Sequence, residues 1–351
     1  MNAIEIVFDW MLAASLRASA LAVAILGIQL VLRRWLSAGW RHALWLPMVA
    51  VLVLPALPVG PFAWFPTNQV SEIATLAAPG GAHETPGLQE ASGTSSDSGT
   101  TRTNWNALAL VWFAGTCGVL LAGVVGYRRT MDRVGRAAIK ADECLLGSVS
   151  AAAREAGLSR TPRVIVSTAV ESPAVTGLLR PVLLLPAGFP NGFNATESRL
   201  ILLHECTHLK RFDLPLNWLT CLLQAMHWFN PLLWFAFARM RADREAACDA
   251  QVLLIDVVDR RAEYGGALLK LQGMASSRPM SLGFVGIFER ASEMKSRIVR
   301  ISKFHRASPS HHALGGAACM SLILLGATQA EVSPSPDAAG KKKPKVVPAN
   351  R

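Results

Sequence analysis

From Trp105 to Tyr127 the chain runs without a single Asp, Glu, Lys or Arg. Such a segment is long enough to cross a bilayer core of about 30 Å as a helix. Its backbone polar groups must then be satisfied internally, because hydrocarbon offers them no partner. Two other stretches share this character: roughly Met11 to Leu32, with Arg17 and Gln29 inside it, and roughly Ala43 to Pro61. A fourth, Ala313 to Ala330, is shorter and richer in Ala and Gly. The composition agrees. Hydrophobic residues make up 51% and charged residues 17%, and mean hydropathy is +0.32, outside the usual soluble range. The first stretch is read as a retained anchor. Acidic Glu5 and Asp9 precede it and Arg33-Arg34 follow it, the reverse of a secretory signal.

Charge asymmetry supplies an orientation. Arg33, Arg34 and Arg41 lie between the first two spans, and Arg128, Arg129, Arg133, Arg136 and Lys140 follow the third. The loop from about Val59 to Asn104 has Arg102 as its one Lys or Arg. The positive-inside rule then puts the N-terminus and this loop outside and everything after Tyr127 in the cytoplasm. The net charge of +11 needs no nucleic acid, because juxtamembrane Lys and Arg meet anionic lipid. The expected organisation is two transmembrane helices over 1–58, a disordered outer loop over 59–104 and a third helix over 105–127. A cytoplasmic α+β domain, mostly helical, follows over 128–312, then a fourth helix over 313–330 and a basic flexible tail over 331–351. The fold class is a multi-pass α-helical membrane protein with this domain inserted.

Within that domain, His204-Glu205-Cys206-Thr207-His208 reads H-E-x-x-H. Residues four apart share a helix face, so His204 and His208 can bind one ion while Glu205 reaches a water in its open position. Thr196 with Glu197 begins the helical run that leads into the motif. A catalytic zinc usually keeps three protein ligands. In the helical stretch Arg241 to Asp249, Glu245 and Asp249 share a face. Glu245 can supply the third ligand, and Asp249 can accept a proton from a ligand histidine and fix its tautomer. The cofactor expected is Zn2+. Six cysteines are read as free thiols, since most fall in the cytoplasmic portion. Cys206 and Cys248 raise the idea of a thiolate ligand, with buried filler preferred for Cys206.

Leu214 to Ala238 holds no charged residue and is long enough to span. A single crossing would separate Glu245 from the histidines, so the segment is read as an apolar hairpin of two short helices joined at Asn230-Pro231. His227 within it is read as a satisfied core histidine. Met131 to Gly157 reads as helix. Arg163 to Thr168 and Pro181 to Pro186 read as short buried strands around a turn at Glu171 to Leu179, and an edge strand here could hold a substrate backbone.

Ser172-Pro-Ala-Val-Thr-Gly-Leu-Leu-Arg-Pro-Val-Leu-Leu-Leu-Pro186, His204-Glu-Cys-Thr-His-Leu-Lys-Arg-Phe-Asp213, Trp228-Phe-Asn-Pro-Leu-Leu-Trp234 and Asp243-Arg-Glu-Ala-Ala-Cys-Asp249 occur in this order. With Arg41-His-Ala-Leu-Trp45 they resemble the BlaR/MecR-type membrane metallopeptidases, family M56. The resemblance implies a gluzincin-like zinc site with His204, His208 and Glu245 as ligands and Glu205 as the catalytic acid/base. It also implies regulated proteolysis at a bacterial inner membrane, of a repressor-like cytoplasmic protein or of the chain itself. For self-cleavage, Ser276 to Phe284 is the candidate stretch. The expected partners are a protein substrate and membrane lipid, with no direct nucleic acid and room for a homodimer. Because 331–351 alone follow the fourth span, no penicillin-binding sensor is expected after it. The alternatives are a broad-specificity quality-control protease and a non-catalytic signal transducer.

Overall fold

A computed structural model describes residues 3–54, 100–256, 258–274, 291–305 and 309–327. Most of the outer loop, the Ser276 to Phe284 stretch and the basic tail lie outside the described residues. Helix α1 spans Ala3–Val31. The expected Ala43 to Pro61 span begins as two short helices, α2 (Ala38–Ala43) and α3 (Leu46–Val53), and its end lies outside the described residues. Pro47 in the first turn of α3 lacks an N–H to bond back into α2, so the chain turns at Leu44-Trp45. Helix α4 is long, Thr100–Arg136. Within α1 and α4, Ile6–Val31 and Asn106–Arg136 are long and apolar enough to cross a membrane.

After α4 the expected continuous helix over Met131 to Gly157 is broken. A short strand β1 (Ala138–Ile139) precedes α5 (Glu143–Glu155). Next come β2 (Arg163–Ser167), β3 (Ala174–Thr176) and β4 (Val182–Pro186). The sheet order is β1-β2-β4-β3, with β2 and β4 parallel at the centre and antiparallel strands at both edges. The central strands read as unbroken apolar runs because both faces are covered. Leu183 and Leu185 pack on α5 with Ile201 and Leu202, while Leu184 points the other way onto Val134 at the end of α4. The Ser-Pro-Gly stretch expected as a turn contributes the edge strand β3. It turns back into β4 through Gly177 (φ +90), where a Cβ would sit 2.5 Å from the Arg180 carbonyl oxygen.

Helix α6 (Ala195–Lys210) carries the H-E-x-x-H motif. It starts with a capping box in which Asn194 accepts from the Glu197 N–H and Glu197 accepts from the Asn194 N–H. Helix α7 (Asp213–Met226) and helix α8 (Pro231–Ile255) form the apolar hairpin. Its second arm is not short. Asn230 caps α8 by accepting from the N–H groups of Leu232 and Leu233, Pro231 suits the first turn, and the helix continues unbroken through Glu245 and Asp249. Helices α9 (Arg261–Met274), α10 (Ala291–Ser302) and α11 (Pro309–Ala327) complete the described chain.

Two cores result. One joins α1, α3, the hairpin and α11 around Trp45, Met48, Phe237 and Leu322. The other backs α6 with Val252, Tyr264, Leu268 and Ile301 from α8, α9 and α10. Helix α8 passes from the first core to the second. His227 is fully buried, yet among the described residues neither ring nitrogen has a hydrogen-bond partner, which corrects the reading of a satisfied histidine.

Candidate metal centre

His204 and His208 stand one turn apart on α6, with their Nε2 atoms 3.2 Å from each other. The Glu245 Oε2 atom on α8 lies 3.6 Å from the first and 3.5 Å from the second. Donors held about 2.0–2.1 Å from a tetrahedral ion are separated by about 3.3 Å. The three atoms therefore match the spacing that a zinc ion would impose, and the donor set of two imidazoles and a carboxylate suits that ion.

The other ring nitrogens decide the tautomers. Tyr264 donates its hydroxyl proton to Asp249 Oδ1 at 2.7 Å, so its oxygen must accept from His204 Nδ1–H at 2.8 Å. Asp213 Oδ2 accepts from His208 Nδ1–H at 2.8 Å. With each Nδ1–H so engaged, the Nε2 atoms turned toward Glu245 are the positions an ion would take in exchange for protons. Asp249 is thus coupled to His204 mainly through Tyr264. Its direct separation from Nδ1 is 3.4 Å, so the expected proton acceptance runs through an intervening hydroxyl. Arg297 on α10 holds both Asp249 oxygens, at 2.7 and 3.0 Å. Its guanidinium also stands 3.8 Å from Glu245 and 3.5 Å from His204 Nε2.

Asp213 reaches His208 because the chain reverses sharply at Phe212, whose φ of 57 is the one positive value among described non-glycine residues. A bulky residue in the left-handed region stores about 1–3 kcal/mol. Here that conformation carries Asp213 from the start of α7 back to the motif.

The electrostatics call for a cation. Burial alone would lower the His204 pKa, but the Cys248 thiolate and Glu245 raise it to about 10. His208 is likewise driven up, against its burial, by Cys248, Glu245 and Asp213. Burial raises the Glu245 pKa, yet the two imidazoles and Arg297 hold it well below the usual carboxylate range. Two bases that retain protons beside groups that retain negative charge describe a pocket where a metal ion would replace those protons. Glu205 is half-buried and, among the described residues, makes no hydrogen bond or ion pair. That leaves its carboxylate available to a water.

Cys248, on the same face of α8 as Glu245, competes for the ligand role. Its Sγ and one nitrogen of each histidine lie within 4.8 Å of one another. The Glu245 oxygen stands at the required spacing from both Nε2 atoms, while Cys248, whose pKa burial raises but the two imidazoles bring below the usual thiol value, offers a rival sulfur donor. Metal competition separates the two. Glu245→Ala should lose the ion and Cys248→Ala should keep it. Asp213→Asn and Tyr264→Phe should each weaken affinity about 10–100-fold, the usual effect of removing a histidine's orienting partner. Retention by Glu245→Ala with loss by Cys248→Ala would reverse the assignment.

Tyr264, Arg297 and Asp213 were not singled out as site residues by sequence reasoning. Asp213 closes the motif stretch His204 to Asp213, which was the available signal. Tyr264 and Arg297 lie in unremarkable helical sequence.

A model of the BlaR1 peptidase M56 family matches residues 10–301. The chain is 33% identical over 152 residues to the regulatory protein BlaR1 of Bacillus licheniformis, an alignment covering 43% of this chain and 24% of that protein. It is 30% identical over 138 residues to the methicillin resistance mecR1 protein of Staphylococcus aureus, covering 39% and 24%. The mecR1 protein of Staphylococcus epidermidis matches to the same extent. The alignments thus span about a quarter of each relative's length.

Proposed function

Because the chain belongs to the BlaR1 peptidase M56 family, we propose that it is an integral-membrane zinc metalloendopeptidase that cuts a cytoplasmic, repressor-like regulator and itself. The carrying observation is the convergence of three donor atoms, His204 Nε2, His208 Nε2 and Glu245 Oε2, at zinc spacing with Glu205 beside them. A zinc ion held there would supply a Lewis acid to a substrate carbonyl and to a water. Glu205, whose carboxylate has no protein partner among the described residues, would take the proton of an attacking water and return it to the leaving amine. Asp213 and Tyr264 keep the histidines in the tautomer that leaves Nε2 free. Strand β3, an edge of the sheet packed against α6, aligns the extended substrate backbone.

In the proposed topology, with the N-terminus outside, α1, the segment that begins with α2 and α3, and α4 cross the inner membrane of a bacterium in turn, and the domain over 128–312 faces the cytoplasm. The basic residues after Tyr127 support this. A cytoplasm-active reporter fused after Lys140 should be active, and one fused within Gly80 to Thr101 should be silent. The reverse pattern would remove cytoplasmic regulators as substrates.

Cys248, grouped with His204 and His208, favours a second reading, a signal transducer in which its sulfur fills the position a catalytic site leaves to water. Comparing the proteomes of cells carrying wild-type and Glu205→Gln protein tests both. One or a few cytoplasmic regulators should accumulate with the variant. Accumulation of many unfolded proteins would indicate quality control instead. No difference, under any stress applied, would favour the transducer.

A further inference from the structure

Where α1 ends and α11 begins, the chain forms a cavity of about 570 Å³. Its lining includes Arg34, Arg41, Arg211, Arg300 and Lys303 against a single carboxylate, Asp249, which Arg297 already holds. A second cavity of about 440 Å³ shares Arg41 and Arg300, adds Arg239 and Lys295, and has no acidic residue in its lining. Among the described residues, Arg34, Arg41, Arg239, Lys295 and Lys303 make no salt bridge. The nearest carboxylate oxygen to Arg300 is on buried Asp243, 4.0 Å away. Burial lowers the Arg300 pKa, and repulsion from Arg41 and Arg239 adds to this against the attraction of Asp243. A concave site that crowds unpaired cations is built for an anion.

The position says which anion. The C-terminal end of α1 and the N-terminal end of α11, both apolar helices, meet at this cavity. Trp40 Nε1 donates to His312 Nδ1 at 3.1 Å, and Trp35 stands edge-on to His311 at 6.0 Å. The two helix ends therefore share one level, and half-exposed tryptophans mark that level as the interface between apolar and aqueous surroundings. Basic pockets of this kind, between helices on the cytoplasmic side, hold phosphate-bearing headgroups.

We propose that the Arg34–Arg41–Arg300–Lys303 cavity binds the phosphate headgroup of an anionic membrane phospholipid, and so clamps α10 against α8 behind the metal centre. The proposal rests on the reading that α1 spans the membrane, but its test does not depend on which side the domain faces. Purified full-length protein in a non-ionic detergent is titrated with dihexanoyl phosphatidylglycerol, dihexanoyl phosphatidylcholine or inorganic phosphate, and bound ligand is counted by native mass spectrometry. Phosphatidylglycerol should saturate at one site. Arg41→Gln/Arg300→Gln should weaken it on the order of 30-fold, from the contribution of each basic residue near anionic lipid. Arg34→Gln/Lys303→Gln removes two exposed side chains and should weaken binding similarly, which covers misfolding of the first pair. Arg128→Gln/Arg129→Gln, which removes equal charge from exposed positions on α4, should bind as wild type. Equal weakening in all three double variants would mean diffuse electrostatics and overturn the site. So would unchanged binding in both cavity variants, or equal binding of phosphatidylcholine. Inorganic phosphate saturating the site as tightly as the lipid would overturn the lipid source.

Discussion

Glu205→Gln should retain the metal and the fold while slowing peptide cleavage by about 10²–10⁴-fold, the usual loss when a positioned general base is removed. The substitution keeps the size of the side chain and removes its basicity. No hydrogen bond or ion pair of Glu205 is broken among the described residues, so nothing structural depends on its charge. The contrast is with His208→Ala. That change removes a donor 3.2 Å from His204 Nε2 and leaves the buried Asp213 carboxylate to Arg211 alone, at 3.3 Å, so it should lose metal and stability together. Zinc content, melting midpoint and accumulation of full-length chain against its processed form separate the cases. Loss of metal by Glu205→Gln would make Glu205 a ligand or a structural group. Undiminished processing would remove it from the chemistry.

The parts of this site that were legible in the sequence are those set by spacing along one helix. The four-residue interval of His204 and His208 places both on one face whatever the rest of the fold does, and the same holds for Glu245 and Asp249. The apolar runs of β2 and β4 were legible because strands covered on both faces leave little room for polar residues. What stayed hidden depends on tertiary meeting. Tyr264 and Arg297 reach His204 and Asp249 from α9 and α10, and no periodicity announces such a meeting. The Asp213 contact requires a left-handed Phe212, and Phe carries none of the usual signals for that conformation. Strand β3 was taken for a turn because Ser, Pro and Gly surround it, while its pairing with β4 comes from the neighbouring strand. The break of the Met131 to Gly157 helix likewise follows from the pairing of Ala138 with Ser167 and Ile139 with Val166.

Trp45→Ala should be among the most destabilising single changes in the described chain, and it should disturb the metal centre from a distance. Trp45 is fully buried among Ala22, Ile25, Met48, Phe237 and Met240. Removing a buried tryptophan side chain costs about 3–5 kcal/mol. Its Nε1 also donates to Asp243 Oδ2 at 2.9 Å. Asp243 has no exposed surface, and among the described residues its other oxygen makes no hydrogen bond, with Arg300 4.0 Å away. Loss of the indole donor leaves that carboxylate unsatisfied, a further penalty of about 1–3 kcal/mol. Against a typical domain stability of about 5–15 kcal/mol, the combined loss of about 4–8 kcal/mol is a quarter or more of the whole. Asp243 lies on α8 two residues before Glu245, so the Trp45 contact pins the helix that supplies the third donor. Trp45→Phe separates the two effects, since it keeps most of the bulk and loses only the N–H. Melting midpoints of the detergent-solubilised protein should fall in the order wild type, Trp45→Phe, Trp45→Ala, with zinc content falling alongside. If Trp45→Phe matches wild type in both measurements, the Asp243 contact is incidental and packing alone holds α8. If Trp45→Ala matches wild type, neither packing nor the hydrogen bond fixes the helix, and the register of Glu245 against His204 must be set by α10 and α6 instead.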